Sequence, residues 1–180
     1  MNITVYCGSS LGNDPDFKQA ARDLGTWIAT NNHTLVYGAG KVGMMGVIAD
    51  AVVENGGSSI GVTPGFFIDM DEIHSGLTRL EVVKNLSERR TLMMELGEAF
   101  IAMPGGMGTL DEITEICANN RLKQFDGGTR PAILLNTNGY YNVFRAQLQN
   151  MVDCGFYKQS DMDAVFFADT VEDIAAYLNR

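Results

Sequence analysis

The sequence predicts a Rossmann-like, doubly wound α/β fold: a mostly parallel sheet with helices on both faces. Three observations predict it. Short β-rich runs alternate with longer segments whose apolar residues recur at helical spacing. The β-rich runs are continuously apolar, as strands buried on both faces are. Three of them end in glycine, at Gly8, at Gly38 to Gly43 and at Gly105 to Gly108, the end of the sheet where such folds hold ligands.

Taken in order, Ile3 to Cys7 is a strand that runs into Gly8-Ser9-Ser10, followed by Phe17, Ala20, Ala21, Leu24, Trp27 and Ile28 on one helix face. Thr34 to Tyr37 is the second strand. Met44, Val47, Ile48, Ala51 and Val52 then mark a helix that stops at Asn55-Gly56-Gly57. Ser59 to Thr63 is the third strand, closed by Pro64-Gly65. Phe66 to Thr78, with Asp69, Asp71, Glu72 and His74, reads as a loop or short helix, and Leu80 to Val83 as a fourth strand.

Ser87 to Leu96 reads as a helix with Ser87 as N-cap. Ala99 to Met103 is a buried strand ending at Pro104-Gly105-Gly106, and Thr109 to about Leu122 is helical. Pro131 to Leu135 is strand, Tyr140 to Met151 helix, Ala164 to Phe167 strand and Val171 to Leu178 helix. With 180 residues, 46% of them hydrophobic, and no linker or repeat, residues 1–180 are expected to form one nucleotide-binding domain.

Charge narrows the function classes. Thirteen basic against 22 acidic residues give −9, so no nucleic-acid partner is expected. No stretch is apolar for long enough to span a bilayer, so no membrane partner is expected either. The opening run Met1 to Tyr6 has no signal-type pattern, and Cys7, Cys117 and Cys154 show no paired spacing; a reducing cytoplasm is the expected location. The two histidines, His33 and His74, stand apart from other ligand types, so neither a metal nor a cofactor is expected.

Gly38-Ala39-Gly40-Lys41-Val42-Gly43 has the G-x-G-x-x-G form, yet the next strand ends in Val62-Thr63-Pro64 without the carboxylate that would hold a dinucleotide ribose. This loop is expected to line a smaller nucleotide pocket. Pro104-Gly105-Gly106-Met107-Gly108-Thr109 is more specific, because glycines between a buried strand and a helix start can turn several N–H groups toward one anion. Thr109 either caps the helix or gives its hydroxyl to a phosphate.

Two readings of Glu112 stand side by side. Thr109-x-x-Glu112 has the form of a capping box, while a carboxylate beside an anion site can also bind ribose hydroxyls, hold a water or face a developing positive charge. Arg89 and Arg90, near the positive end of their own helix, call for something negative nearby. Glu88 or Glu95 would supply it as a surface ion pair; a substrate phosphate or a catalytic carboxylate would supply it otherwise.

The run Pro104 to Glu112, preceded by Glu88-Arg89-Arg90, resembles the LONELY GUY family of cytokinin-activating phosphoribohydrolases, often labelled lysine decarboxylases. The similarity extends through Val5 to Ser10, Val36-Tyr37-Gly38, Gly43 to Gly46, Leu134 to Asn136 and Gly139 to Tyr141. It implies a dimeric Rossmann-like fold that cleaves the N-glycosidic bond of a nucleoside 5′-monophosphate, AMP or prenylated AMP, to free base and ribose 5-phosphate. It also implies that Arg89 and Glu112 are catalytic, and that Glu72, Arg90, Gly105, Gly106, Met107, Gly108, Thr109 and Asp111 bind substrate.

Leu86-Ser87, Arg90, Asp111, Cys117 and the segment 119–129 depart from the family's usual residues, which bears on the base accepted more than on the reaction. Two rivals stand beside this reading. One is a non-catalytic nucleotide-binding or sensor module, since the same glycine loops could hold a nucleotide intact. The other is amino-acid decarboxylation, for which Lys41 would have to carry pyridoxal phosphate.

Overall fold

A computed structural model of the chain describes residues 1–70 and 72–179. Asp71 thus lies outside the described residues. In chain order the elements are β1 (Asn2–Tyr6), α1 (Pro15–Thr30), β2 (Thr34–Tyr37), α2 (Gly43–Glu54), β3 (Ser58–Pro64), α3 (Gly65–Asp69), β4 (Arg79–Val83), α4 (Leu86–Leu96) and β5 (Ala99–Ala102). The chain continues with α5 (Met107–Leu122), β6 (Ala132–Leu135), a 3₁₀ turn (Thr137–Gly139), α6 (Asn142–Asp153), α7 (Gln159–Asp163), β7 (Val165–Ala168) and α8 (Val171–Leu178).

The strands form one seven-stranded sheet in the order β4-β3-β2-β1-β5-β6-β7. Every pairing in it is parallel, so the sheet is more uniform than the mostly parallel one expected. Alternation along each strand divides its side chains between two cores. Ile3, Val5, Leu35 and Ile101 pack with Leu24 and Ile28 of α1, Ile48 and Val52 of α2, and Ile174 of α8. Tyr6, Val36, Phe100 and Leu134 pack on the other face with Met93 of α4 and Ile113 and Ile116 of α5. Both faces are therefore covered by helices. None of the described helices is long and apolar enough to cross a membrane.

Two local expectations are corrected. The cap of α4 is Asn85, whose Oδ1 accepts from the Glu88 N–H at 2.9 Å, so Ser87 lies inside the helix. The first turn of α5 begins at Met107 with Gly106 as its extended N-cap and no side-chain cap. Thr109 is then the third helical residue and Thr109-x-x-Glu112 forms no capping box. Short α3 is the short helix allowed for in the irregular stretch, beginning one residue earlier at Gly65, whereas α7 was not expected; a five-residue helix is too short to show a 3.6-residue period.

Outward from β1 the order runs to β4 on one side, while β5 starts the other side, so the winding reverses between β1 and β5. Their carboxyl ends meet there: the Gly8 N–H donates to the Pro104 carbonyl at 3.2 Å. A crevice at this point is where an open α/β sheet binds its ligand.

Candidate active site

Pro104 stops β5, and the two glycines after it bring the chain straight into α5. The first N–H groups of a helix have no partner within it, and here no side chain among the described residues caps them. The amides of Met107, Gly108 and Thr109 thus remain donors at the positive end of a sixteen-residue helix. They border a cavity of about 360 Å³. Cys7, Gly8 and Ser9 after β1 form its opposite wall, Gly38 and Met45 one side, and Arg89, Met93 and Glu112 the remainder.

Arg89 reaches this cavity across Gly38. A Cβ built on Gly38 would coincide with the Arg89 guanidinium, so only a glycine leaves room for that side chain. The next requirement for glycine is Gly43, which has φ +63° and whose missing Cβ would strike the Ser9 backbone. The G-x-G-x-x-G loop therefore has its glycines for two close approaches, to a side chain and to the β1 loop.

Glu112 stands one turn beyond the free amides of α5. Burial raises its carboxyl from 4.5 to about 7; Arg89 and Arg90 oppose the rise, and Asp111 and Glu115 add to it. Burial also lowers Arg89, against the pull of Glu112 and Cys7. The Arg89 Nε is buried and, among the described residues, has no hydrogen-bond partner. A buried, unsatisfied guanidinium nitrogen beside a half-buried carboxyl is an arrangement waiting for a polar ligand. Burial and the nearby Glu112 push the Cys7 thiol up to about 12, so Cys7 is neutral at physiological pH and no nucleophile.

Of the residues singled out in the sequence, Arg89, Glu112, Gly106, Met107, Gly108 and Thr109 line this one cavity. Thr109 is only 3% exposed, held under the loop. Gly105 borders an adjoining cavity of about 330 Å³ that shares Gly8, Ser9 and Gly106 as its wall. Glu72 borders a small recess of about 40 Å³ on the far side of Gly38 and Arg89. Its backbone is fixed there by Lys41 N–H to Glu72 O at 3.0 Å and His74 N–H to Ala39 O at 2.9 Å. His74 in turn bonds Asp50 at 3.1 Å and accepts from the Gly76 N–H at 3.0 Å.

Arg90 and Asp111 are brought together but not into the cavity lining. The Arg90 guanidinium meets Asp111 at 3.0 Å and Glu115 at 3.4 Å, tying α4 to α5. Glu88 instead accepts from the Lys84 N–H at 3.0 Å, so it serves the start of α4 and not an arginine. Gly38 lines the cavity, as expected of its glycine loop, whereas Cys7, Ser9, Met45 and Met93 line it without any sequence signal that pointed there. Among the described residues, no group of three or more His, Cys, Asp or Glu stands where it could hold a metal ion.

The family model described as "possible lysine decarboxylase" matches residues 45–178. The chain is 37% identical over 172 residues to a cytokinin riboside 5′-monophosphate phosphoribohydrolase of Rhodococcoides fascians, covering 95% of this chain and 85% of that protein. To the Arabidopsis thaliana cytokinin riboside 5′-monophosphate phosphoribohydrolase LOG1 it is 35% identical, over 98% of this chain and 81% of that one. Among solved structures it is similar to the molybdenum cofactor binding protein of Rippkaea orientalis, with a TM-score of 0.75 at 20% identity over 99% of this chain and 94% of the other. The Chlamydomonas reinhardtii molybdenum cofactor carrier protein matches with a TM-score of 0.72 at 22% identity, over 99% and 95% of the two chains. At those identities the two structures establish a shared fold.

Proposed function

The chain belongs to the LONELY GUY family, and from that premise we propose that it is a phosphoribohydrolase, acting as a single domain on the N-glycosidic bond of a nucleoside 5′-monophosphate. The products are free base and ribose 5-phosphate, and the substrate class is AMP or a prenylated AMP, in keeping with the names of its relatives. The observation that carries the reading is the meeting of Arg89 and Glu112 in the cavity bordered by the unpaired amides of α5.

The amides of Met107, Gly108 and Thr109 bind the 5′-phosphate, where the helix dipole favours a dianion. That anchorage holds the sugar in place, so binding energy from the phosphate is spent on orientation at the reacting carbon. As the C1′–N bond breaks, its electrons leave with the base and positive charge develops on the ribose. The Glu112 carboxylate stabilises that charge and takes a proton from the water that adds to C1′, and that proton passes through solvent to the departing base nitrogen, so that neutral base leaves and Glu112 is again ionised, by analogy with glycoside hydrolysis. A pKa of about 7 suits a general base at neutral pH.

The Arg89 charge opposes the burial-driven rise of Glu112 and favours its ionised form beside the substrate. Arg90 and Asp111 act through their ion pair, which keeps α4 and its Arg89 set against α5. Glu72 meets the part of the ligand that reaches past Arg89. Aldimine chemistry of a lysine decarboxylase needs a lysine at the site, and among the described residues that line the cavity there is none.

The free thiols of Cys7, Cys117 and Cys154 fit a reducing cytoplasm. The active form is a homodimer. Edge strand β4 leaves Leu80 and Val82 38% and 55% exposed, and Phe66, Ile68, Met70 and Leu86 are exposed near it in sequence, an apolar edge that a second copy would cover.

The test is chromatography of reactions with AMP, isopentenyladenosine monophosphate and the corresponding unphosphorylated nucleosides. The expected result is base release from the monophosphates and little from the nucleosides. No release from any monophosphate refutes the reading; equal release from nucleosides refutes the phosphate anchor.

A further inference from the structure

Three consecutive carbonyls of the phosphate loop are each held by a donor from another part of the chain. Met103 O accepts from the Tyr141 hydroxyl at 2.6 Å, Pro104 O from the Gly8 N–H at 3.2 Å, and Gly105 O from the Tyr140 hydroxyl. The two tyrosines come from the β6–α6 connection, which is fixed in turn. Asn136, buried at 4% exposure, accepts from the Tyr141 N–H at 2.7 Å and donates to Asn142 at 3.0 Å and Asp169 at 3.1 Å. Tyr140 is also braced by Phe17, edge to face at 5.6 Å.

A trans peptide is planar, with its C=O and N–H pointing in opposite directions. Holding the Gly105 carbonyl therefore aims the Gly106 N–H away from Tyr140, and holding the Pro104 carbonyl aims the Gly105 N–H away from Gly8. Tyr140 borders the adjoining cavity and not the one shared by Arg89 and Glu112, whereas Gly106 borders both. With glycine on both sides, the Gly105–Gly106 peptide has no Cβ to restrict its orientation, and the Tyr140 hydroxyl supplies a restraint on its carbonyl.

We propose that Tyr140 is a positioning residue for the phosphate: its hydroxyl locks the Gly105–Gly106 peptide so that the Gly106 amide joins the free amides of α5 in one anion cradle. The proposal rests on the phosphoribohydrolase reading for the identity of the anion. Tyr141 supplies an internal control. Its hydroxyl holds the Met103–Pro104 peptide, which has no N–H to aim, so its role is structural.

The experiment compares Tyr140→Phe and Tyr141→Phe with the unaltered protein in calorimetric binding of ribose 5-phosphate, in steady-state kinetics with AMP, and in thermal melting. Tyr140→Phe is expected to weaken ribose 5-phosphate binding and raise KM for AMP, each by about tenfold, with kcat changed by less and melting close to that of the parent. Tyr141→Phe is expected to melt lower with KM within about twofold. A Tyr140→Phe protein that binds ribose 5-phosphate as the parent does overturns the proposal, as does a Tyr141→Phe protein with the same rise in KM. A parent protein that binds ribose 5-phosphate but does not cleave AMP overturns the functional reading while leaving the tether to be judged by binding; one that binds no ribose 5-phosphate overturns both.

Discussion

The guanidinium of Arg89 lies where a side chain on Gly38 would be, so Arg89 can hold this position only because residue 38 has no Cβ. Gly38→Ala is expected to displace Arg89 and to lower kcat/KM for AMP by about 10²–10³-fold, the cost typical of losing one electrostatic contact to the transition state. Arg89→Ala should give a similar loss. Kinetics on the two single variants and the double variant check this: the double variant should be no worse than either, because both changes remove the same group.

Glu112 makes activity and stability move oppositely with pH. Its ionised form is needed for the reaction, so kcat/KM should fall as pH drops below about 7. For stability, a carboxyl at 4.5 when unfolded and about 7 when folded means that the folded state binds more protons in between. Its contribution is therefore best below 4.5 and is lost as pH rises to about 7. The gap corresponds to about 3 kcal/mol above that range. Glu112→Gln should abolish the acid limb of the rate profile and melt about 5–10 °C higher than the parent at pH 8, with the difference shrinking toward pH 5. Melting curves across that range decide it.

Gly43 ties the glycine loop to the loop after β1. With φ +63° and the Ser9 backbone in the way of any Cβ, Gly43→Ala should cost at least about 2 kcal/mol and lower the melting temperature by about 4–8 °C. A calorimetric scan checks it. An unchanged transition would mean that the two loops separate easily.

The apolar edge at β4 predicts the oligomeric state. Val82→Lys places a charge on a strand that has no neighbour beyond it among the described residues and should shift the protein to monomer in sedimentation velocity, with little effect on the fold. A parent protein that sediments as a monomer would remove the second copy from the account.

Much of this was legible in the sequence because it is local. Continuous apolar runs such as Phe100-Ile101-Ala102 announce buried parallel strands, and Pro104 to Gly108 announces an anion loop by its glycines alone. Asn85 and Ser87 are both good caps two residues apart, and pattern could not choose between them; the outcome depends on which side chain reaches the Glu88 amide. Thr109 gave a false capping box because Gly106 lets the helix begin one turn earlier. The contact of Gly38 with Arg89, the partnership of Tyr140 with Gly105 and the raised carboxyl of Glu112 are tertiary. They join residues far apart in the chain, or arise from burial, and neither leaves a periodic trace.

The most direct test of the central claim is a time course of AMP with the parent protein and with Glu112→Gln, quantifying adenine and ribose 5-phosphate together. Equal amounts of both products from the parent, and a loss of at least about 10²-fold in the Gln variant with ribose 5-phosphate still bound, is the predicted result. AMP that binds and remains whole, or a Gln variant that turns over as fast as the parent, would contradict it.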